Sequence, residues 1–156
     1  EELACGVLHD PQPTQRPRAI PIASIKRKVD AGADAVFTQL FYENENFLKF
    51  RDRYQKAGIS VPLIPGIMPI TEFARIRRIT SMCAAYFPPE LSARLEAVQN
   101  DAQAQFEIGI EHAVGQCRAL IDSGAPGIHF YVLNKSKACE RILGALGMSA
   151  TTEERA

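Results

Sequence analysis

Gln39 is the residue of this sequence whose type and position most clearly suggest ligand chemistry. It lies near the end of the apolar run Ala35–Leu40, which predicts a short buried parallel strand. A carboxamide can donate and accept a hydrogen bond at once, so it suits a flat heterocycle whose edge carries both a carbonyl and an amine. The alternative is a buried glutamine that neighbouring backbone groups satisfy, and the sequence leaves both interpretations open.

Histidines and paired cations provide further candidates for binding. His9 follows a predicted strand and precedes a proline-rich loop, which favours contact with a cofactor, whereas His129 within a strand and His112 on a helix favour structural roles. Arg27 and Lys28 are adjacent cations on a predicted helix, and they either bind an anionic group or form a solvated surface. No phosphate loop, Ser-His-Asp order or metal-ligand spacing occurs, so no metal site, hydrolase or kinase is predicted.

Four apolar runs predict the strands that position these residues. They are Leu3–Leu8, Ala35–Leu40, a run from Val61 that ends at Pro65-Gly66, and Gly127–Leu133. Helical spacing of apolar residues and helix-capping residues predict helices beginning near Ile22, Asn44 or Asn46, Thr71, Pro89, Asp101 and Ser136. Because each strand is followed by at least one helix, the pattern predicts parallel crossovers and an α/β fold.

Ligands of such folds bind at the carboxyl ends of the strands. Here those ends carry His9-Asp10, Gln39 with Tyr42-Glu43, Pro65-Gly66-Ile67 and Asn134-Lys135. We therefore expect these residues to face one cleft.

The totals describe an ordinary globular domain. The chain has 156 residues, of which 46% are hydrophobic and 23% charged, and its 18 basic and 18 acidic residues give no net charge. This balance predicts neither nucleic acid nor an anionic membrane as a partner. The four cysteines form no C-x-x-C pair, which favours reduced thiols and a cytoplasmic protein. No apolar stretch has the length of a membrane span, and no signal peptide is visible.

Four ordered segments resemble the methylenetetrahydrofolate reductase family. They are Lys26–Ala35 (Lys-Arg-Lys-Val-Asp-Ala-Gly-Ala-Asp-Ala), Thr38-Gln39, Pro65–Pro69 (Pro-Gly-Ile-Met-Pro) and His129–Asn134 (His-Phe-Tyr-Val-Leu-Asn). The resemblance implies a (βα)8 barrel of the TIM type that carries FAD, to which this chain contributes about four βα units. Residues 1–147 would form the second half of that barrel, and residues 148–156 a polar tail.

The activity that the resemblance implies belongs to one-carbon metabolism and methionine biosynthesis. Bound FAD would take a hydride from NADH or NADPH and pass it to methylenetetrahydrofolate, which gives methyltetrahydrofolate. The implied partners are a complementary N-terminal half or further copies of the chain. One alternative is a non-catalytic half-barrel that binds a partner half or a flavin. Another is a flavin-linked proline dehydrogenase, whose substrate motifs do not occur in the sequence.

The resemblance also implies roles for single residues on the cofactor side. Arg27 and Lys28 match positions that hold the diphosphate of FAD. Ser24 and Pro21 match polar FAD contacts, although a proline cannot donate a hydrogen bond. His9 is expected on the same side.

On the substrate side, Gln39 is similar to the family's glutamine that bonds the pterin ring of folate, and the nicotinamide uses the same pocket in turn. Asn134 completes the last motif, and Lys135 stands where bacterial members often have an arginine that contacts folate. Arg75 occupies a position where some members use glutamine toward the substrate. The proton-donating glutamate and flavin-facing aspartate of the family lie in the first half, so no catalytic residue is assigned here.

Overall fold

The computed structural model describes residues 21–83, 85–132 and 136–148, in which helices alternate with strands. The elements in chain order are α1 (Ile22–Asp30), β1 (Val36–Leu40), α2 (Asn44–Lys56), β2 (Leu63–Ile67), α3 (Phe73–Met82), α4 (Pro89–Ala97), α5 (Ala102–Asp122), β3 (His129–Phe130) and α6 (Lys137–Ala145). The predicted strand Leu3–Leu8 lies outside the described residues.

The three described strands form one parallel sheet in the order β1-β2-β3. At least one helix follows each strand along the chain, so the α/β prediction is confirmed. The register pairs Val36 with Leu63 and Gly66 with His129. The carboxyl ends of all three strands therefore lie at the same edge of the sheet, while closure into a (βα)8 barrel stays a prediction.

β3 begins two residues later than the predicted strand Gly127–Leu133, at His129, because of Pro65. In the register of β2 and β3, Pro65 lies opposite Ile128, where a continued ladder would need a backbone N–H from residue 65. Proline has no such donor, so the ladder begins only at His129. Pro65 is tolerated in the central strand because its nitrogen, which cannot donate a hydrogen bond, lies on the side of β2 where β3 has not yet begun.

Two apolar clusters form the core. The main cluster contains Ile25, Val36, Phe41, Phe47, Phe50, Tyr54, Ile59, Leu63, Ile67, Ile110, Ala113, Cys117, Leu120, Ala138 and Ile142. The second cluster contains Leu40, Tyr42, Met68, Ile70, Phe73, Ile76, Leu91 and Leu95. Both clusters combine residues of the helices with residues of the strands and of the segments that follow them.

One face of the sheet is only partly covered. Val36, Thr38 and Leu40 of β1 are buried, but Gln39 is half-buried and Phe37 is 47% exposed. The prediction of a wholly buried strand is therefore wrong for one of its two faces. On this face Phe37 contacts His129 edge to face, with 5.3 Å between the two ring centroids.

The helices of the first half of the described chain follow the predicted patterns. Phe47, Phe50 and Tyr54 recur at helical spacing in α2, and all three are buried against the main cluster. Gly32 ends α1 as predicted, because its φ of +106° belongs to the left-handed region and its N–H donates to the carbonyl of Val29 at 2.9 Å. At these positions the structure that the local sequence predicts is also the one that packs in the folded chain.

Helix starts were predicted less well. Asp101 caps α5 as expected, since its Oδ1 accepts a hydrogen bond from Ala104 N at 2.9 Å. Thr71 does not cap α3, because Glu72 occupies that position and the N–H of Phe73 donates to Gln105 Oε1 of α5 at 2.8 Å. Gln105, a residue of a distant helix, thus caps α3 in place of Thr71, the local residue that the sequence suggested.

α5 is the longest described helix, with 21 residues, and it contributes to both sides of the core. Gly109 brings it very close to the segment after β2, since an ideal Cβ on this glycine would lie 2.0 Å from the carbonyl oxygen of Ile70. Only a residue without a Cβ permits this approach of two backbones. Neither α5 nor any other described helix combines the length and apolar character of a membrane span.

Candidate ligand site at the carboxyl ends of the strands

Gln39 lies one residue before the end of β1, as predicted. Its Oε1 accepts a hydrogen bond from the backbone N–H of Leu40 at 3.0 Å. Its Nε2 has no hydrogen-bond partner among the residues that the structure describes. The backbone therefore uses one acceptor position of the Gln39 carboxamide oxygen, and both N–H donors of the carboxamide are left for another partner. A role in ligand binding stays a prediction.

A bulge in β1 surrounds Gln39. Between Phe37 and Leu40 the strand advances by three residues, while β2 advances by two, from Ile64 to Gly66. Thr38 and Gln39 thus share one opposing position. Bulges bend a strand and redirect a side chain, and they are frequent beside functional sites. The bulge therefore sets the direction in which the carboxamide leaves the sheet.

Two unusual hydrogen bonds hold the bulge in place. The N–H of Gly66 donates to Thr38 Oγ1 at 2.9 Å, so a side chain replaces the usual carbonyl acceptor. The hydroxyl of Tyr131 donates to the carbonyl oxygen of Thr38, also at 2.9 Å. Tyr131 reaches this carbonyl across Gly66, where an ideal Cβ would lie 2.6 Å from the tyrosine ring and 2.5 Å from Thr38 O. Glycine is thus required for the close approach.

Sequence reasoning did not single out Thr38, Gly66 or Tyr131 for this arrangement. One signal was present, because a glycine inside a strand often marks a bulge or a close backbone approach. The partner of that glycine could not be inferred, since Tyr131 lies 65 positions further along the chain and reaches β1 only through the three-strand register.

Arg75 lies beside the carboxyl end of β2. Its side chain is exposed on α3, and it borders a cleft of about 20 Å³ whose walls also include Met68, Thr71 and Tyr131. A cavity of this size holds one water molecule and no heterocycle. This cleft alone is too small for a folate ring, and the predicted contact of Arg75 with substrate stays a prediction.

The predicted cofactor residues Ser24, Arg27 and Lys28 lie together on α1. Arg27 and Lys28 are exposed, and the Nη2 of Arg27 donates to Ser24 Oγ at 3.1 Å. No carboxylate of the described chain forms an ion pair with either cation, whereas their neighbour Lys26 contacts Asp30 at 3.0 Å. Their charge is available to an external anion. The last turn of α1 also lies close to the start of β1, at the strand end away from Gln39, because only residues 31–35 join the two elements.

His9, Asn134 and Lys135 lie outside the described residues, so their predicted contacts stay predictions. His129 lies within β3 and is half-buried, as expected of a histidine inside a sheet. Its ring lies between Phe37 and Tyr131, at centroid distances of 5.3 and 4.7 Å. We call these three residues the aromatic row. It gives the face of the sheet that carries Phe37 an apolar surface against which a flat ring can stack.

The segment after β1 is tied to α5 by polar side chains. Gln116 Nε2 donates to the carbonyl of Phe41 at 3.0 Å, and His112 Nε2 lies 3.1 Å from the carbonyl of Tyr42. Burial lowers the pKa of His112, which keeps its ring neutral near pH 7. The structural role predicted for His112 agrees with this contact. No cluster of three potential metal-binding side chains occurs in the described parts of the chain.

The family model described as Methylenetetrahydrofolate reductase matches residues 10–147. The chain belongs to the methylenetetrahydrofolate reductase family.

Named relatives span much more sequence than this family member. The chain is 39% identical over 127 residues to methylenetetrahydrofolate reductase (NADH) 1 of Zea mays, covering 81% of this chain and 21% of that protein. It is 41% identical over 125 residues to a probable methylenetetrahydrofolate reductase (NADPH) of Caenorhabditis elegans, covering 80% and 19%. The 5,10-methylenetetrahydrofolate reductase of Salmonella typhimurium is 32% identical over 147 residues, covering 94% and 50%. The chain thus spans a fifth of the eukaryotic relatives and half of the bacterial one.

One solved structure has a similar fold. It is described as an uncharacterized protein from Clostridium thermocellum that binds two copies of 5-methyl-5,6,7,8-tetrahydrofolic acid. The TM-score is 0.50 at 17% sequence identity, and the match covers 80% of this chain and 46% of that one. At this identity the likeness shows the fold alone.

Proposed function

We propose that this chain provides the second half of a (βα)8 barrel that reduces methylenetetrahydrofolate to methyltetrahydrofolate with NADH or NADPH. The observation that carries the proposal is the carboxamide of Gln39, held at the end of a parallel strand with its Nε2 donors unbonded by the described residues. Membership of the reductase family supplies the reaction. The names of relatives that use NADH or NADPH support a nicotinamide reductant.

A closed barrel accounts for the uneven covering of the sheet. Helices pack on one face, while the other face carries the aromatic row and its Phe37 is 47% exposed. Four further βα units would turn that face into the interior of a barrel and pair both edge strands. On this proposal residues 1–147 belong to the barrel and residues 148–156 form a polar tail. Assembly requires a complementary N-terminal half. Further copies of the chain can take the place of that half only if they pair with the same two edge strands.

Gln39 would orient the reacting rings. Its N–H groups can donate to a ring carbonyl of the pterin, while the second lone pair of Oε1 accepts from a ring amine. The nicotinamide carboxamide offers a similar donor and acceptor, so the same side chain can serve both molecules in turn. Stacking on the aromatic row would exclude water from the ring. Arg75, Asn134 and Lys135 would contact anionic or polar parts of the folate.

FAD suits the cations of α1. Arg27, Lys28 and the Ser24 hydroxyl form a group of exposed polar side chains in which neither cation is neutralised by a described carboxylate. Such a group can donate several charge-assisted hydrogen bonds to a diphosphate. His9 would lie near the same cofactor. FAD, when bound, supplies the isoalloxazine ring that exchanges a hydride with nicotinamide and folate.

The proposed compartment is the cytoplasm. Cys83, Cys117 and Cys139 are free thiols, and Cys117 is fully buried. Unpaired thiols of this kind are typical of reducing compartments.

The first test replaces Gln39 with glutamate in the assembled barrel. A carboxylate cannot donate to a ring carbonyl, and an unsatisfied polar group costs about 1–3 kcal/mol, so we expect folate to bind roughly tenfold more weakly or worse. Equilibrium titration of the folate and steady-state turnover would measure the loss. Gln55→Glu, on the exposed side of α2, is the control for added charge.

The outcomes separate the proposed enzyme from its alternatives. Unchanged affinity and turnover in Gln39→Glu would remove Gln39 from the site. A flavin-loaded assembly that neither binds folate nor oxidises NADH or NADPH would instead support the non-catalytic half-barrel.

The second test concerns the α1 cations. Replacing both Arg27 and Lys28 with alanine should weaken FAD binding about tenfold, since both side chains are exposed and an exposed charge pair contributes up to about 1 kcal/mol. The remaining binding should depend less on salt, because two screened attractions are gone. FAD titrations at two salt concentrations measure both effects. Alanines at Arg53 and Lys56, in the last turn of α2, provide the matched control, and equal losses in the two double mutants would leave Arg27 and Lys28 as solvated surface.

A further inference from the structure

Tyr131 is the side chain that joins β3 to the bulge beside Gln39. Its hydroxyl donates to Thr38 O at 2.9 Å, and its own N–H donates to Ile67 O at 2.8 Å. The tyrosine is thus fixed at its backbone to β2 and at its hydroxyl to β1. The ring lies over Gly66, so it spans the central strand.

The bond to Thr38 matters because the bulge leaves that residue outside the regular ladder. Thr38 Oγ1 already accepts from Gly66 N, and its carbonyl accepts from the Tyr131 hydroxyl. Thr38 is 1% exposed, so water cannot easily replace the tyrosine. The peptide bond that begins at this carbonyl ends at the nitrogen of Gln39. Its orientation therefore fixes where the Gln39 side chain starts.

We propose that Tyr131 is a positioning residue for Gln39, acting through the Thr38 carbonyl and the bulge rather than by contact with the reacting groups. The ligand side of this inference rests on the proposed function, while its geometric side does not. Gly66 belongs to the same device, since a side chain there would push the ring off the carbonyl.

The test uses Tyr131→Phe, which removes one hydroxyl and keeps the ring. Tyr54→Phe is the matched control, because the Tyr54 hydroxyl also donates to a backbone carbonyl, that of Val61, at 3.0 Å in a part of the core remote from Gln39. Both variants are prepared in the assembled barrel. Thermal unfolding of each records the purely structural cost of losing one such bond.

The first readout needs no folate. Selective ¹⁵N-glutamine labelling, with Gln39→Ala to assign the signal, follows the side-chain amide of Gln39. Tyr131→Phe should shift or broaden this resonance, and Tyr54→Phe should leave it unchanged even if both variants lose the same stability. An unchanged Gln39 resonance in Tyr131→Phe overturns the proposal.

The second readout is a double-mutant cycle on folate affinity. Tyr131→Phe should weaken binding about fivefold, as expected for one lost hydrogen bond, and should cause no further loss once Gln39 is alanine. An equal loss in both backgrounds would mean that the tyrosine acts independently of Gln39 and would overturn the proposal. If the wild-type assembly binds no folate while the Gln39 resonance still responds to Tyr131→Phe, the positioning role stands and the proposed function falls.

Discussion

Replacing Gly109 with alanine should destabilise the protein by roughly 3 kcal/mol, the upper part of the range for overpacked cores. The new Cβ would lie 2.0 Å from Ile70 O and 2.8 Å from the Ile70 carbonyl carbon, so backbone rather than a flexible side chain must move. For a protein of this size the loss corresponds to a melting temperature lower by about 6–12 °C. Thermal unfolding followed by circular dichroism measures it.

Gly115 provides the control within the same helix. An ideal Cβ at this exposed position of α5 meets nothing within 4 Å, so Gly115→Ala should raise stability by about 0.5–1 kcal/mol through helix propensity alone. The two substitutions are chemically identical and should have opposite signs. A Gly109→Ala variant as stable as Gly115→Ala would show that α5 and the segment after β2 can separate at little cost.

The second large effect is the complete loss of folate reduction when the 156 residues are expressed alone. Phe37 is 47% exposed on the open face, and β1 and β3 form the two edges of the described sheet. An apolar face and two unpaired edges favour dimerisation or aggregation. The resemblance assigns the family's proton donor and flavin-facing carboxylate to the first half of the barrel, so chemistry should fail even in chains that remain folded.

The experiment compares the chain with and without an N-terminal half. FAD content, sedimentation and NADH-dependent reduction of an artificial acceptor should all be restored only by the complementary half. A monomeric, flavin-loaded chain that reduces methylenetetrahydrofolate alone would refute the prediction. Glu43, which lies three residues after the end of β1 and immediately before α2, would then be the first carboxylate to examine as the proton donor.

Local patterns predicted those features that depend on near neighbours. The end of β1 at Leu40, the buried face of α2 and the Asp101 cap each follow from a few consecutive residues, and each agrees with the structure. The order of elements and the parallel sheet followed from the alternation of strands and helices. The family resemblance rested on the same local motifs and is confirmed.

Features that depend on distant residues could not be predicted. The bulge at Thr38 requires Gly66 and Tyr131, and the start of α3 is satisfied by Gln105, 32 positions beyond the residue that it caps. Pro65 shortens β3 only through the register of the two strands. In each case the fold brings the interacting residue close in space, and a single sequence does not show which distant residues become neighbours.

The carboxyl end of β1 is held from two sides, and this has an entropic consequence. Tyr131 bonds the carbonyl of Thr38 from the side of β3. Gln116 and His112 contact the carbonyls of Phe41 and Tyr42, just beyond the last residue of β1, from the side of α5. Backbone that is already immobile loses little conformational freedom when a ligand binds, and ordering one free residue costs about 1–2 kcal/mol. Two different rings that bind Gln39 in turn would therefore bind to the same rigid backbone, and neither binding step would include the entropy cost of ordering it.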